Sequence, residues 1–274
     1  MKKILYSLFS IFVISSCLQF RTNNKKTHRF FEKKNQTVVI QQINGLRVIK
    51  SDRVNKKTAI LFIHGMPNSS DAFYEYLADS LLLTQATLIS YDRLGYGYSS
   101  YGTPEVSIKK QAEAICPIIE KYETVYLVGH SYGGAITVYL ALISKNVNKI
   151  VLIAPALYPH KERFYNMAKF GTTQFGRLFS SKALFVASSE KIAHQKSIEE
   201  IDEAWGALSC GITYIHSTND PLVPYKNIDY LDKTFKNSRI ERVTLQEGGH
   251  FLPANHFELV RNLILKAIKE PKIP

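Results

Sequence analysis

Three cysteines in 274 residues are too few for a disulfide-built scaffold, and they cannot make a zinc site of four thiolates. No His/Cys/Asp cluster stands at metal-ligand spacing and no glycine-rich phosphate loop is present, so neither a metal nor another cofactor is expected. With 14 Gly and 10 Pro the chain is neither collagenous nor low in complexity. Acidic residues are scarce at the front: residues 1–36 hold Lys2, Lys3, Arg21, Lys25, Lys26, Arg29, Lys33 and Lys34 against Glu32 alone. That stretch carries seven of the twelve net positive charges, so the body is only mildly basic. The body also lacks a stripe of Lys and Arg interleaved with aromatics, which argues against nucleic acid as a partner. What remains is ordinary globular composition, 45% apolar and 21% charged, at a length where an α/β enzyme is commonly one domain.

Met1-Lys2-Lys3 precedes an apolar run, Ile4–Ile14, broken only by Tyr6, Ser7 and Ser10. This is the layout of a secretory signal peptide over residues 1–16, too short to span a bilayer comfortably. Ile14-Ser15-Ser16-Cys17 then resembles the lipobox of bacterial lipoproteins: an aliphatic residue, two small ones, and the cysteine that is lipidated and becomes the new N-terminus. The resemblance implies an extracytoplasmic protein held on a membrane surface of a bacterial cell envelope through Cys17. An ordinary signal peptide with a chance cysteine, or an uncleaved anchor, is the competing reading. Up to residue 36 the chain is polar and basic without apolar periodicity, and reads as a tether. Its charge either favours an anionic membrane or simply keeps the tether extended. Cys116 and Cys210 are expected as two separately buried thiols.

Residues 37–274 alternate strand and helix. Thr37–Gln42 and Leu46–Lys50 flank Asn44-Gly45, a strong hairpin signal. Thr58–Ile63 is continuously apolar, as in a strand covered on both faces. Ser70 and Asp71 can cap a helix running to about Leu83. Thr87–Tyr91, Val125–Val128, Lys149–Ile153, Ile212–His216 and Arg239–Leu245 read as further strands. Helices are expected over Ser107–Tyr122, kinked or begun late because of Pro117, and over 133–144, 225–236 and 255–269. The pattern predicts an α/β fold with a mostly parallel sheet flanked by helices. Residues 157–211 make too long a connection for a loop and are rich in aromatics, which predicts a lid.

The most informative stretch is Gly129-His130-Ser131-Tyr132-Gly133, a Gly-x-Ser-x-Gly set between a buried strand and a helix. A serine on such a turn projects its hydroxyl above the sheet, and the neighbours two residues away must lack Cβ atoms for the chain to turn so tightly. The chain from about residue 37 onward resembles the α/β-hydrolase superfamily, in its esterase and lipase-like branch. His64-Gly65-Met66-Pro67 resembles that family's oxyanion loop, and Asp92-Arg93-Leu94-Gly95-Tyr96-Gly97-Tyr98-Ser99 its turn after the following strand. His216-Ser217-Thr218-Asn219-Asp220 and Gly248-Gly249-His250-Phe251 look like its acid and histidine loops, and the order Ser131…Asp220…His250 is the family's.

The resemblance implies Ser131 as nucleophile, His250 as general base and Asp220 as its orienting acid, with the oxyanion met by the backbone N–H groups of Met66 and Tyr132. His64 is expected to order its loop, Asp92 and Arg93 to lock a turn, and His130 to pack beside the nucleophile. A serine at the elbow argues against dehalogenase and epoxide-hydrolase chemistry, whose relatives carry aspartate there. The expected activity is hydrolysis of a small-molecule carboxylic ester through an acyl-enzyme, with thioesters, lactones and amides behind it. An aminopeptidase or lipid-acyl hydrolase on the same fold, or a catalytically silent surface binding protein, are the alternatives. Oligomeric state is open.

Overall fold

Asn44 and Gly45 take φ of 51° and 80°, the two left-handed residues that a tight hairpin demands. They join strand β1 (Val39–Ile43) to the antiparallel β2 (Leu46–Ser51). The computed structural model describes residues 20–51, 57–158 and 165–270. The expected signal peptide and Cys17 lie outside the described residues.

Six further strands follow: β3 (Thr58–Ile63), β4 (Thr87–Tyr91), β5 (Thr124–His130), β6 (Val147–Ile153), β7 (Gly211–Ser217) and β8 (Ile240–Leu245). The sheet order is β1-β2-β4-β3-β5-β6-β7-β8, antiparallel in its first two pairings and parallel in the rest. Helices cover both faces, which is why the central strands are apolar throughout. On one face Leu61, Ile63, Leu127 and Leu152 pack against α4 (Ile108–Ile119) and α5 (Tyr132–Ile143). On the other, Ile60, Phe62, Val128 and Val151 share a core with Phe73, Tyr76 and with Val260 and Ile264 of α11 (Phe257–Lys269).

The expected helix from Ser70 to Leu83 is instead a 3-10 turn (Ser70–Phe73) and two short helices, α2 (Tyr74–Leu77) and α3 (Ser80–Gln85). Asp79 makes the break by capping anew, its Oδ1 accepting from Leu82 N at 2.9 Å. Pro117 neither delays nor shortens the start of α4, which begins at its Ser107 cap and places the proline in its last turn, where little helix remains to disturb. Cys116 and Cys210 are free thiols, the first buried and the second half-buried.

The tether needs a larger correction. Residues Asn24–Lys33 form helix α1, capped by Asn23 Oδ1 on Lys26 N, with Thr27 and Phe31 fully buried. Phe31 packs against Tyr74 with ring centroids 5.3 Å apart. Buried Arg47 reaches back to α1, its Nε donating to Asn24 Oδ1 and an Nη to Thr27 Oγ1, both at 3.0 Å. Only two apolar residues, Phe30 and Phe31, mark the docking, too few to show as a period among so many lysines.

From residue 165 onward the long insertion is mostly helical: α6 (Tyr165–Thr172), α7 (Gln174–Phe179), α8 (Lys182–Glu199) and a 3-10 turn (Asp202–Ala207). Its last part is core rather than cover, since Trp205 is fully buried and stacks on Phe235. After β7 come α9 (Ile228–Thr234), and after β8 the short α10 (Leu252–Asn255) and α11. Among the described residues no helix is long and apolar enough to cross a membrane.

Candidate active site

Strands β3 and β5 are neighbours, yet the chain leaves β3 toward β4 and β5 toward β6, in opposite directions across the sheet. The carboxyl ends of such a pair open a crevice that helices do not fill. His64-Gly65-Met66 emerges there from β3, and Ser131 from β5.

Ser131 is the cap residue of α5, at φ 55° and ψ −124°, a backbone state that costs an L-residue strain and must be held by its surroundings. Its N–H donates to Ile153 O at 3.0 Å, and its carbonyl accepts from Gly134 and Ala156. The flanking glycines are required by space: a Cβ on Gly129 would lie 2.0 Å from Thr137 Oγ1, and one on Gly133 2.4 Å from Ile63 O. Gly65 is pressed against the serine as well, since a Cβ there would meet Ser131 Cβ at 2.9 Å. Tyr132 N–H is the first donor of α5, at the positive end of the helix, and neither it nor Met66 N–H donates to another described residue.

Asp220 and His250 meet directly, His250 Nδ1–H donating to Asp220 Oδ2 at 2.7 Å. The two loops that carry them are tied together: Asn219 Oδ1 accepts from Gly248 N and Gly249 N at 3.2 and 2.9 Å. The histidine loop is in turn tied to the elbow. His130 Nε2 donates to the His250 carbonyl at 2.9 Å, and the two rings stand 4.8 Å apart. Ser131, Asp220 and His250 are all nearly buried. The described hydrogen bonds leave Ser131 Oγ and His250 Nε2 uncommitted.

Two residues behind the acid had no assigned role in the sequence. His216 Nε2–H is shared between Asp220 Oδ2 at 3.0 Å and Val223 O at 3.1 Å, so Nδ1 is the acceptor of a hydrogen bond that the Tyr214 hydroxyl donates at 2.6 Å. Burial pushes the Asp220 carboxyl up, but the hydrogen bonds from His216 and His250, the His250 charge and the Val223 N–H outweigh it and hold it well below the usual range. Burial, with His250 beside it, pushes His130 down to about 3, so it stays a neutral donor.

The expected loop and turn residues form a buried charge cluster. Burial and the Arg93 charge hold His64 well below its ordinary value. Its Nδ1–H donates to Gly65 O at 2.7 Å while Nε2 accepts Arg93 N–H at 3.0 Å. The Arg93 guanidinium donates to His64 O at 3.0 Å and Gly65 O at 3.2 Å, and forms a two-pronged pair with Glu190 of α8 at 2.6 and 3.1 Å. Arg93 and Glu190 are both wholly buried. Glu190 escaped the sequence reading because a lone glutamate on a polar helix carries no signal. His216 was quoted in the acid loop, and its strand-end place four residues before Asp220 was the available clue. Among the described residues no group of three or more His, Cys, Asp or Glu side chains is placed to hold a metal ion.

A strained serine between a parallel strand and a helix, with an aspartate-bound histidine on the loops beyond, defines an α/β-hydrolase site. Residues 58–197, about half of the chain, match the family described as alpha/beta hydrolase fold, and the chain belongs to that family. It is 28% identical over 224 residues to a Mycoplasma pneumoniae protein provisionally named esterase/lipase 3, covering 70% of this chain and 78% of that one. The fold is similar to that of a lipase-esterase related protein from Clostridium acetobutylicum, with a TM-score of 0.66 and 18% identity over 81% of this chain and 98% of the other. It is also similar to that of an esterase from Exiguobacterium antarcticum, with a TM-score of 0.63 and 20% identity over 86% of this chain and the whole of the other.

Proposed function

We propose that this chain is a serine ester hydrolase. One observation carries the reading: the 2.7 Å Asp220–His250 hydrogen bond, on a loop whose backbone is bound to the residue before a left-handed Ser131. Ser131 Oγ attacks the ester carbonyl as its proton passes to His250 Nε2, and Asp220 stabilises the resulting imidazolium. The oxyanion is met by Met66 and Tyr132 N–H. Collapse breaks the bond to the alcohol, which leaves with the proton from His250. Water, deprotonated by the same nitrogen, then cleaves the acyl-enzyme to free acid and restores Ser131. The relative named as an esterase/lipase supports this chemistry over amide cleavage. We place the protein outside the cytoplasm, anchored by lipid at Cys17, on the motif that precedes that cysteine.

The test is fluorophosphonate labelling and ester turnover of the full-length chain beside Ser131→Ala. Labelling confined to Ser131, and turnover lowered by about 10³-fold or more in the variant, is the expected result. A folded wild-type chain that takes no label and hydrolyses no ester would favour the silent binding protein.

A lipid-acyl substrate is the second reading, favoured by the apolar surface of α6 and α7. Tyr165, Met167, Phe170, Phe175 and Leu178 are exposed there, beside Lys169 and Arg177. If these residues meet a lipid surface, Met167→Ser/Leu178→Ser lowers turnover of micellar esters severalfold and leaves that of short soluble esters unchanged. Equal rates on both substrates would count against it.

A further inference from the structure

Helix α8 is docked onto the oxyanion side of the site by charge as well as by packing. Its Val186 meets the Asp92–Ser99 turn so closely that a Cβ on Gly95 would lie 2.9 Å from Val186 Cγ1. Tyr96, Ala183 and Val186 close into a small buried cluster of their own. At the centre of this contact sits Glu190, with both carboxylate oxygens engaged. Oε1 accepts from Arg93 at 2.6 Å and from Gln111 Nε2 at 3.4 Å, and Oε2 accepts from Arg93 at 3.1 Å and the Tyr96 hydroxyl at 2.6 Å. The other edge of the same guanidinium holds His64 O and Gly65 O, the carbonyls just ahead of Met66 N–H. A guanidinium is planar and rigid, so fixing one edge on a carboxylate fixes the direction of the other. The rings of Tyr96 and Tyr132 lie 4.7 and 4.8 Å from its central carbon and close the remaining faces.

We infer that Glu190 of helix α8 is a positioning residue for the oxyanion hole, acting through Arg93 on the His64-Gly65-Met66 backbone. This rests on the ester-hydrolase reading, and it adds that the hole is in register only while α8 is docked. The helix therefore stays seated through the catalytic cycle, and any opening for substrate falls to α6 and α7. Arg93 serves the turn it was expected to lock, but its larger task is to connect two segments that stand 97 residues apart in the chain.

The test compares the full-length wild type with Glu190→Gln and with the double variant Arg93→Met/Glu190→Met. The single change leaves a buried guanidinium unpaired. The double change removes both charges, a replacement that buried pairs often tolerate. The readouts are kcat, KM, the melting temperature and the inhibition constant of a trifluoromethyl ketone, which forms an oxyanion when the serine adds to it. A displaced N–H in the hole lowers kcat by about 10²-fold, with KM within about twofold. Ketone affinity falls by the same factor as kcat/KM, because both report the tetrahedral state. A purely structural role would lower the melting temperature while the folded fraction kept wild-type ketone affinity. A folded double variant with wild-type kcat and ketone affinity overturns the inference. Should the double variant not fold, Glu190→Asp, with the charge kept one methylene back, replaces it. Severalfold weaker ketone binding is then expected, and wild-type binding is the contrary result. A wild type that takes no fluorophosphonate overturns the ester-hydrolase reading and this inference with it. A labelled, active wild type beside an unaffected variant overturns this inference alone.

Discussion

Asp220 accepts four hydrogen bonds, from His250 and His216 on one oxygen and from the Leu222 and Val223 N–H groups on the other. The backbone pair would keep the carboxylate in place if one histidine were lost, but not its angle to His250. His216→Leu is therefore expected to lower kcat about tenfold with KM little changed, as misorientation of a base partner costs rate more than binding. A steady-state comparison on one soluble ester checks this, and an unchanged kcat would make His216 a packing residue. The central residues of this site were legible in the sequence because each sits in a local context that restricts its neighbours: glycines around Ser131, a strand end before Asp220, paired glycines before His250. Tyr214 and His216 carry no such motif, although their bonds run within the strand and loop that hold Asp220. Glu190 takes its role from Arg93, 97 residues away in the chain.

At the scale of elements, α1 changes what counts as the body of the protein. Its docked face consists of Thr27 and Phe31, and Arg47 spends hydrogen bonds on it from inside the fold. Phe31→Ala should cost about 3–5 kcal/mol of stability, the usual range for emptying a buried aromatic site. Urea unfolding of the full-length chain measures it, and a loss below 1 kcal/mol would mean that α1 is a loosely held arm. The central strands were readable because burial on both faces makes them almost continuously apolar. The helix boundaries after Ser70 were less so, since Asp79 reads as one more polar residue until its side chain is seen to cap Leu82. The insertion at 157–211 divides similarly, with exposed apolar residues on α6 and α7, a buried ion pair on α8, and core in Trp205.

For the molecule as a whole, acid should be the weak side. His130 and His194 are pushed down to about 3, chiefly by burial, with His250 beside the first and Lys191 beside the second. His64 is held well below its ordinary value too. A histidine whose folded pKa is lowered binds its proton more readily when unfolded, so its contribution is complete above about pH 6.5 and falls as pH drops toward the folded value. Asp220 has the usual carboxylate sign, with a contribution present above about pH 4 and lost only below it. Stability should thus fall between pH 7 and 5 through the histidines, by on the order of 1 kcal/mol or more for each. His194→Gln, which can keep a donor for Ala156 O, should reduce that fall. Urea midpoints at the two pH values decide it, and an equal fall in wild type and variant would sink the assignment to His194.

The sequence by itself determined the sheet, the elbow and the order of the three candidate catalytic residues, because alternating apolar runs, obligatory glycines and strand-end loops are local demands that the chain satisfies within a few residues. It left undecided which charged side chains would be buried together. Arg93 and Glu190, and Arg47 and Asp92, become partners only when their elements dock, since a charge is tolerated inside a protein only where another segment supplies its counterpart.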